Sequence, residues 1–259
     1  MMKFIVTTTQ SAPDVDYLTD YLNESQLEFV PRQRRSLSGL ARENDAEGVI
    51  VCETGGPILY IQNEKLFFHP SMAKNRISAY RKKDRQDLMA EACQLSRGDN
   101  FLDCTLGMGA DAIVAAFFSG SGKITGLESH PVMASIIKWG MKTYQINLPW
   151  LHQAIRKVEV IKADHYSFLV ELASKSYDIV YFDPMFLRPL LKSQALAPLR
   201  ILANHKPIEI ETIQEACRVA RKRVVLKTLR SGAEIDRLGF KEIGGSKHNP
   251  ITYGFIDVT

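Results

Sequence analysis

The chain has 259 residues, of which 45% are hydrophobic and 24% are charged. These values are ordinary for a globular protein with one large domain, or with a large domain and a small companion. No apolar run is long enough for a membrane-spanning helix, and the start M-M-K-F-I-V-T-T-T-Q does not resemble a signal peptide. We therefore expect a cytoplasmic protein with no membrane partner. The four cysteines show no C-x-x-C spacing and the histidines no metal-ligand spacing, which predicts free thiols and no metal site.

The formal net charge is +4, and basic residues are locally clustered in P-R-Q-R-R (31–35), Y-R-K-K-D-R (80–85) and R-V-A-R-K-R (218–223). This mild positive bias is compatible with a nucleic-acid partner without requiring one. Each cluster taken alone also fits a solvated surface.

Residues 1–70 are predicted to form a small α+β domain. Short strands are indicated by K-F-I-V-T-T-T, G-V-I-V-C-E-T, P-I-L-Y-I and K-L-F-F-H, and a helix by D-V-D-Y-L-T-D-Y-L-N. Gly55-Gly56 and Gln62-Asn63-Glu64 are expected at turns. Residues 71–98 are predicted to form a connecting helical segment with basic residues along its first half.

Residues 99–259 follow a different pattern, in which strands and helices alternate. The strands F-L-D-C-T-L, K-I-T-G-L-E, V-E-V-I-K-A-D, Y-D-I-V-Y-F-D and R-V-V-L-K-T-L are mostly continuous apolar runs, as in a parallel sheet covered by helices on both faces. The final segments F-K-E-I-G-G-S and I-T-Y-G-F-I-D-V predict a β-hairpin. We therefore expect a doubly wound α/β domain whose mostly parallel sheet ends in a C-terminal hairpin.

The first strand of this domain runs into the glycine loop D-C-T-L-G-M-G-A-D, residues 103–111. Gly107 and Gly109 allow the backbone to turn tightly and approach a ligand at the start of a helix. The third glycine of a dinucleotide fingerprint is absent, since Ala112 and Ile113 stand there, so the loop also fits an ordinary strand–helix turn.

Four successive strands end in an acid: Asp103, Glu128, Asp164 and Asp183. Ligands of doubly wound folds bind at the carboxyl edge of the sheet. Glu128 has the position of an acid that holds the ribose hydroxyls of such a ligand. Asp103 is placed to face an amino-acid portion of the ligand, and Asp164 is in register with the amino group of its adenine. Each acid alone also fits a helix cap, but their succession favours a ligand site.

This order of glycine loop, acids and closing hairpin resembles the Rossmann-like class I methyltransferases that use S-adenosylmethionine. The resemblance implies that the glycine loop holds the methionine end of this cofactor, Glu128 its ribose and Asp164 its adenine.

The fourth strand ends in Y-F-D-P-M-F, which resembles the D-P-P-Y or N-P-P-Y motif of enzymes that methylate an amino nitrogen on a planar base. Asp183 and the carbonyl of Pro184 can accept the two N–H groups of an exocyclic amine and aim its lone pair at the methyl group. Pro184 fixes the turn, and Phe186 can stack on the base. The same residues also fit a strand terminator with an aspartate cap and a core phenylalanine.

D-P-M-F, together with D-x-T-x-G-x-G-x-D-A, L-E-x-x-P-V and R-V-V-L-K, resembles the RsmJ family of bacterial small-subunit ribosomal RNA guanine-N2 methyltransferases. The resemblance implies methylation of a guanine N2 in 16S rRNA. The family's cofactor contacts fall on Ala110, Asp111, Glu128, Ser129, Asp164, His165 and Asp183. Ala110, Ser129 and Leu187 depart from the family's usual residues, which leaves the target nucleotide open.

Basic residues on either side of the motifs are the expected RNA contacts. Arg81, Lys82 and Lys83 precede the catalytic domain, and Arg188 and Lys192 follow D-P-M-F, where they can bind phosphates near an extruded base. The sequence leaves open whether Lys227 lines the core or faces the substrate. Two alternative functions stay open: a methyltransferase of a small molecule or protein, and a non-catalytic RNA-binding protein.

Overall fold

A computed structural model describes residues 2–10, 15–83, 85–184, 201–202, 204, 206–230, 233–243 and 250–258. The described residues form two compact units, the first made of 2–69, 130–145 and 201–202 and the second of the remainder. Residues 130–145 thus group with the first unit although they follow a strand of the second. The domain boundaries at 70 and 98 stay predictions.

The strands, in chain order, are β1 (Phe4–Thr8), β2 (Glu28–Phe29), β3 (Gly48–Glu53), β4 (Gly56–Ile61), β5 (Glu64–Leu66), β6 (Phe101–Asp103), β7 (Ile124–Glu128), β8 (Val158–Lys162), β9 (Tyr177–Phe182), β10 (Ala220–Leu229), β11 (Lys241–Ile243) and β12 (Ile251–Asp257). The helices are α1 (Leu18–Ser25), α2 (Leu37–Glu43), α3 (Ser71–Arg81), α4 (Leu88–Ala92), α5 (Ala110–Ser119), α6 (Pro131–Thr143), α7 (Pro149–Arg156), α8 (His165–Glu171), α9 (Ile210–Val219) and α10 (Glu234–Arg237).

The first unit contains a mixed sheet in the order β2-β1-β3-β4-β5. β1 runs parallel to β2 and β3, and β3, β4 and β5 are antiparallel neighbours. Gln62 and Asn63 join β4 to β5 with φ angles of 47° and 66°, the left-handed pair that a tight hairpin requires. The strand predicted in K-L-F-F-H ends at Leu66, and β2 and α2 were not predicted.

The second unit contains a seven-stranded sheet in the order β11-β12-β10-β9-β6-β7-β8. β8, β7, β6, β9 and β10 are parallel neighbours, and β12 lies antiparallel between β10 and β11. This arrangement confirms the predicted α/β fold, with its mostly parallel sheet and C-terminal hairpin.

The core of this sheet is built from the continuous apolar runs of its strands. Leu102, Val180, Phe182, Val224 and Leu226 are at most 1% exposed, because helices cover both faces of a doubly wound sheet. No helix within the described residues is both long and apolar enough to cross a membrane.

The chain order changes direction between β6 and β9, which are neighbours in the sheet although β7 and β8 lie between them in the chain. A crevice forms outside the carboxyl ends of the strands at such a switch point. The glycine loop and the strand-end acids belong to this edge.

Candidate active site

The glycine loop joins the end of β6 to the start of α5. Gly107 and Gly109 have φ angles of 52° and 76°, which place them in the left-handed region that favours glycine. The backbone N–H of Gly109 donates to the carbonyl of Leu106 over 2.8 Å, and the N–H of Leu106 donates to the carbonyl of Leu127 over 2.9 Å. The loop is therefore fastened to β7 and presents the N-terminus of α5 at the carboxyl edge of the sheet.

Two of the predicted acids end neighbouring parallel strands, and the other two follow the strands on either side of that pair. Across the sheet, Asp183 (after β9), Asp103 (β6), Glu128 (β7) and Asp164 (after β8) succeed one another. Because the carboxyl ends of parallel strands meet at one edge, these acids share the edge that carries the glycine loop.

Lys227, on β10, joins two of the site's carboxylates. Its Nζ lies 2.6 Å from Asp183 Oδ2 and 3.1 Å from Asp111 Oδ2. The hydroxyl of Tyr181 donates to the same oxygen of Asp111 over 3.0 Å. The Lys227 side chain is only 14% exposed, so these carboxylates rather than water bind its ammonium group. Lys227 therefore belongs to the polar network of the candidate site.

Arg76, on α3, binds the other oxygen of Asp111. Its Nη1 donates to Asp111 Oδ1, and its Nε and Nη2 donate to the two oxygens of Asp87 over 2.8 and 2.9 Å. Asp87 also caps α4 by accepting from the backbone N–H of Ala90. The Asp111 carboxylate is thus bound by internal partners, and a contact of this residue with the cofactor stays a prediction.

Asp183 is held from its backbone as well as from its side chain. Its N–H donates to Thr105 Oγ1 over 2.6 Å, and Thr105 in turn donates its own N–H to Asp103 Oδ1 over 3.0 Å. The N–H of Cys104 donates to the carbonyl of Tyr181 over 2.8 Å. The ends of β6 and β9 are therefore joined by a set of bonds that fixes where the Asp183 carboxylate lies.

Burial and neighbouring charges shift the pKa values of the site. Burial raises the pKa of Asp183 to about 6, with Lys227 opposing the rise and Asp111 adding to it. Burial acts in the same direction on Asp111, but Lys227 and Arg76 outweigh it and hold the pKa of Asp111 below its usual range. Burial, followed by the Asp111 charge, raises the pKa of Asp103. Asp111 is therefore the firmly ionised acid, whereas Asp103 and Asp183 would ionise more readily beside a cation.

Asp164 and His165 lie at the start of α8. Asp164 Oδ1 caps this helix by accepting from the N–H of Ser167 over 3.1 Å and from its hydroxyl over 3.3 Å. The His165 ring meets the Phe182 ring edge-on, with centroids 6.0 Å apart, and burial lowers the pKa of His165. The cap explains why an acid stands at position 164, and a contact with adenine there stays a prediction.

Glu128 and Ser129 follow the glycine loop on the next strand. Glu128 is partly buried and pairs in register with Lys162 of β8, whereas Ser129 is exposed. Both lie at the carboxyl end of β7, where the cofactor's ribose is expected.

The remaining predicted residues fall into two groups. Phe186, Arg188 and Lys192 lie outside the described residues, as does Leu187, and Pro184 is the last described residue before them. The RNA-binding candidates at the end of α3, which are Arg81, Lys82 and Lys83, are exposed.

Three residues of the network were missed by the sequence analysis: Arg76, Thr105 and Tyr181. Arg76 lies 35 positions before its partner Asp111, so no local spacing indicates the pair. Thr105 and Tyr181 stand inside recognised motifs, but the sequence predicted functions only for other residues of those motifs.

A cavity of about 370 Å³ also occurs in the first unit, among the β3–β4 turn, the residues after β5 and the end of α6. It is lined largely by apolar and aromatic side chains, including Phe67, Phe68 and Tyr144. The acids and Lys227 of the candidate site all belong to the second unit, so this cavity is not that site.

A family model described as "Putative SAM-dependent methyltransferase" matches residues 66–247. The chain belongs to the SAM-dependent methyltransferase family. The crystal structure of a SAM-dependent methyltransferase from Neisseria gonorrhoeae aligns with this methyltransferase with a TM-score of 0.67 and 18% sequence identity, covering 98% of this chain and 95% of the other. That similarity shows a shared fold.

Relatives at higher identity narrow the family further. This methyltransferase is 33% identical over 218 residues to "Uncharacterized protein YpiP" of Bacillus subtilis (strain 168), a match covering 84% of each chain. It is 30% identical over 175 residues to ribosomal RNA small subunit methyltransferase J of Legionella pneumophila (strain Lens), covering 65% of this chain and 68% of that protein. The match to the Acinetobacter baumannii (strain AYE) protein of that name has 31% identity over 114 residues and spans 40% of its length. The chain is thus a divergent relative of methyltransferase J, as its motifs predicted.

The cofactor of this family is S-adenosylmethionine, and the charges of the site fit it. Asp103, Asp111 and Asp183 interact with one ammonium group, that of Lys227, while the Arg76 guanidinium is shared with Asp87. A surplus of carboxylates favours a cationic ligand, and S-adenosylmethionine carries a sulfonium and an ammonium group. The left-handed glycines add the close backbone approach that such a ligand needs.

Proposed function

We propose that this methyltransferase acts on the exocyclic amine of a base in ribosomal RNA, with guanine N2 of 16S rRNA as the expected target. The observation that carries the proposal is the placement of Asp183. It stands at the carboxyl end of β9, next to the glycine-loop strand, and is bound by Lys227 and Thr105 and followed by Pro184.

The residues of the chain divide into a set that would hold the cofactor and a set that would hold the amine. Glu128 would bind the ribose hydroxyls, Asp103 the methionine ammonium, and Asp164 with His165 the adenine. Five further residues would contact the cofactor. Gly107, Gly109, Ala110 and Asp111 would do so through their backbone, and Ser129 would do so from its exposed position. S-adenosylmethionine supplies the methyl group when it is bound.

Asp183 would orient the amine. An amine on a planar base is a poor nucleophile, because its lone pair is delocalised into the ring. Lys227 occupies Oδ2 of Asp183, so we assign Oδ1 and the carbonyl of Pro184 to the two N–H groups of the amine. These hydrogen bonds would aim the lone pair and stabilise the positive charge that develops on nitrogen. Phe186 would stack on the base. The proton can leave to water after transfer, so no strong base is needed.

Methyl transfer from tritiated S-adenosylmethionine tests the proposal. Protein-free 16S rRNA, 30S particles, total RNA, and RNA-free extract are offered to the wild-type chain and to Asp183→Ala. We expect label in ribosomal RNA with the wild type, and loss of transfer with near-normal cofactor affinity in the variant. Label only in the RNA-free extract would favour a small-molecule or protein substrate.

Mass spectrometry of rRNA from a strain lacking the protein identifies the nucleotide. An unchanged methylation pattern would contradict the ribosomal assignment while leaving the methyltransferase activity in place.

A further inference from the structure

The C-terminal end of α3 combines exposed cations with an exposed aromatic side chain, that of Tyr80. Arg81, Lys82 and Lys83 are exposed, and none of the ion pairs formed within the described part of the chain involves them. Tyr80, beside them, is 37% exposed. Unpaired cations on a surface attract a polyanion, because they can release its condensed counterions.

Aromatic rings from α5 and α7 complete this surface. The Tyr80 ring lies 4.6 Å from Phe118, and the guanidinium carbon of Arg81 lies 5.0 Å from the centroid of the Trp150 ring. Phe118 and Trp150 are both only partly buried. We call the residues Tyr80, Arg81, Lys82, Lys83, Phe118 and Trp150 the α3 surface.

Other cations near the end of α5 have structural roles that separate them from this surface. Lys157 donates to the carbonyl of Gly120. Lys123 pairs with Glu159 at 3.1 Å. Arg81, Lys82 and Lys83 also lie at the C-terminal end of a helix, but within the described residues none of their side chains forms an ion pair or donates to a carbonyl.

The α3 surface lies away from the glycine loop but is connected to the site by two helices. Phe118 is seven residues beyond Asp111 on α5, or about 10 Å along the helix axis. Arg76, which binds Asp111, is on α3 four residues before Tyr80. A polymer bound at the surface would therefore contact a helix that also supports the active site.

We propose that the α3 surface is a docking site for unpaired RNA outside the active site, with phosphates bound by Arg81, Lys82 and Lys83 and bases stacked on Tyr80 and the neighbouring rings. The inference rests on the proposed RNA substrate and adds how that substrate is held. Phosphate contacts contribute affinity without sequence preference, and stacking accepts any base. Target choice would remain with the active site.

Fluorescence anisotropy with a labelled single-stranded RNA of about 16 nucleotides tests the docking site. The variant Lys82→Ala/Lys83→Ala is compared with Lys206→Ala/Lys241→Ala, which removes two exposed lysines elsewhere in the second unit. From about 50 to 200 mM salt, each phosphate contact to a single strand weakens binding about 2.6-fold. When the salt concentration is raised over this range, the fall in affinity should be about sevenfold smaller for the first variant than for the wild type, because two phosphate contacts are missing. The control variant should show the same fall as the wild type.

The stacking part is tested separately at position 80. Tyr80→Ala should weaken binding about 5- to 150-fold and Tyr80→Phe should restore it, if a base stacks there. Unchanged S-adenosylmethionine affinity and thermal stability confirm that each variant is folded.

The outcomes separate this inference from the proposed function. If wild type methylates RNA but Lys82→Ala/Lys83→Ala keeps the affinity and salt dependence of the control, the docking site is wrong and the proposed function stands. The docking site would also be wrong if Lys82→Ala/Lys83→Ala weakened binding to phosphatidylserine vesicles but not to RNA. If wild type neither binds nor methylates RNA, both proposals fail.

Discussion

Asp183 and Lys227 form the ion pair on which the proposed chemistry depends. An ionised aspartate accepts amine N–H bonds more strongly than a neutral one and stabilises the positive charge that develops on nitrogen, yet burial raises the pKa of Asp183 to about 6, against the opposing effect of Lys227. The ammonium 2.6 Å away therefore has two functions: it fixes one carboxylate oxygen and favours the ionised form.

We expect Lys227→Met to shift the acid limb of the pH–rate profile to higher pH. In the wild type, methyl transfer should increase as the pH rises through the pKa of Asp183, at or somewhat below pH 6 once a cationic cofactor is bound. Loss of the ammonium raises this pKa further, so the limb shifts to higher pH. The rate is measured between about pH 5 and pH 8.

Lys227→Arg is the control because it keeps the positive charge, and its acid limb should stay near that of wild type. The Met variant leaves two carboxylates without their shared cation, so it should also be less stable by about 3 kcal/mol. An acid limb that does not move in Lys227→Met would show that Lys227 does not control the ionisation of Asp183.

At the scale of elements, the glycine loop depends on a glycine outside it. A Cβ on Gly126, in β7, would lie 2.4 Å from Cδ1 of Leu106. Leu106 is buried and precedes Gly107 directly, so its side chain has little room to move away. The shape of the loop thus rests on the absence of a side chain in the neighbouring strand.

We expect Gly126→Ala to destabilise the fold by about 1–3 kcal/mol through overpacking and to weaken S-adenosylmethionine binding, because the displaced Leu106 shifts the loop. Titration calorimetry and thermal unfolding measure the two effects. Gly55→Ala is the matched control, since a Cβ there meets no atom within 4 Å. Full cofactor affinity in Gly126→Ala would show that the loop tolerates the displacement.

At the scale of the whole molecule, cofactor binding is coupled to folding. A ligand that binds only the folded state at about 100 times its Kd contributes about 2.7 kcal/mol. For a unit of this size, the unfolding midpoint should then rise by about 5–10 °C. S-adenosylmethionine is therefore expected to stabilise this methyltransferase measurably.

We expect Glu128→Ala to lose most of this thermal shift, because the ribose hydroxyls lose their acceptor. Glu171→Ala, which removes an exposed acid on α8, should keep the shift. Differential scanning fluorimetry with and without cofactor measures it. A full shift in Glu128→Ala would contradict the ribose role of Glu128.

The sequence by itself determined the fold class and the edge of the sheet where the candidate site lies. Alternating apolar strands and helices specify a doubly wound sheet, and the carboxyl ends of its parallel strands meet at one edge. The glycine loop and the strand-end acids could therefore be placed from local patterns. The tight turn at Gln62-Asn63 was also predictable, since turn chemistry is local.

Only the tertiary structure decided which side chains act together. Arg76 binds an acid 35 positions away and Lys227 binds acids 116 and 44 positions away, and no spacing along the chain encodes such pairs. The grouping of α6 with the first unit is equally non-local. Ion pairs and packing depend on where distant segments meet in space, so local periodicity places the strands but does not specify the network that sets the charge of Asp183.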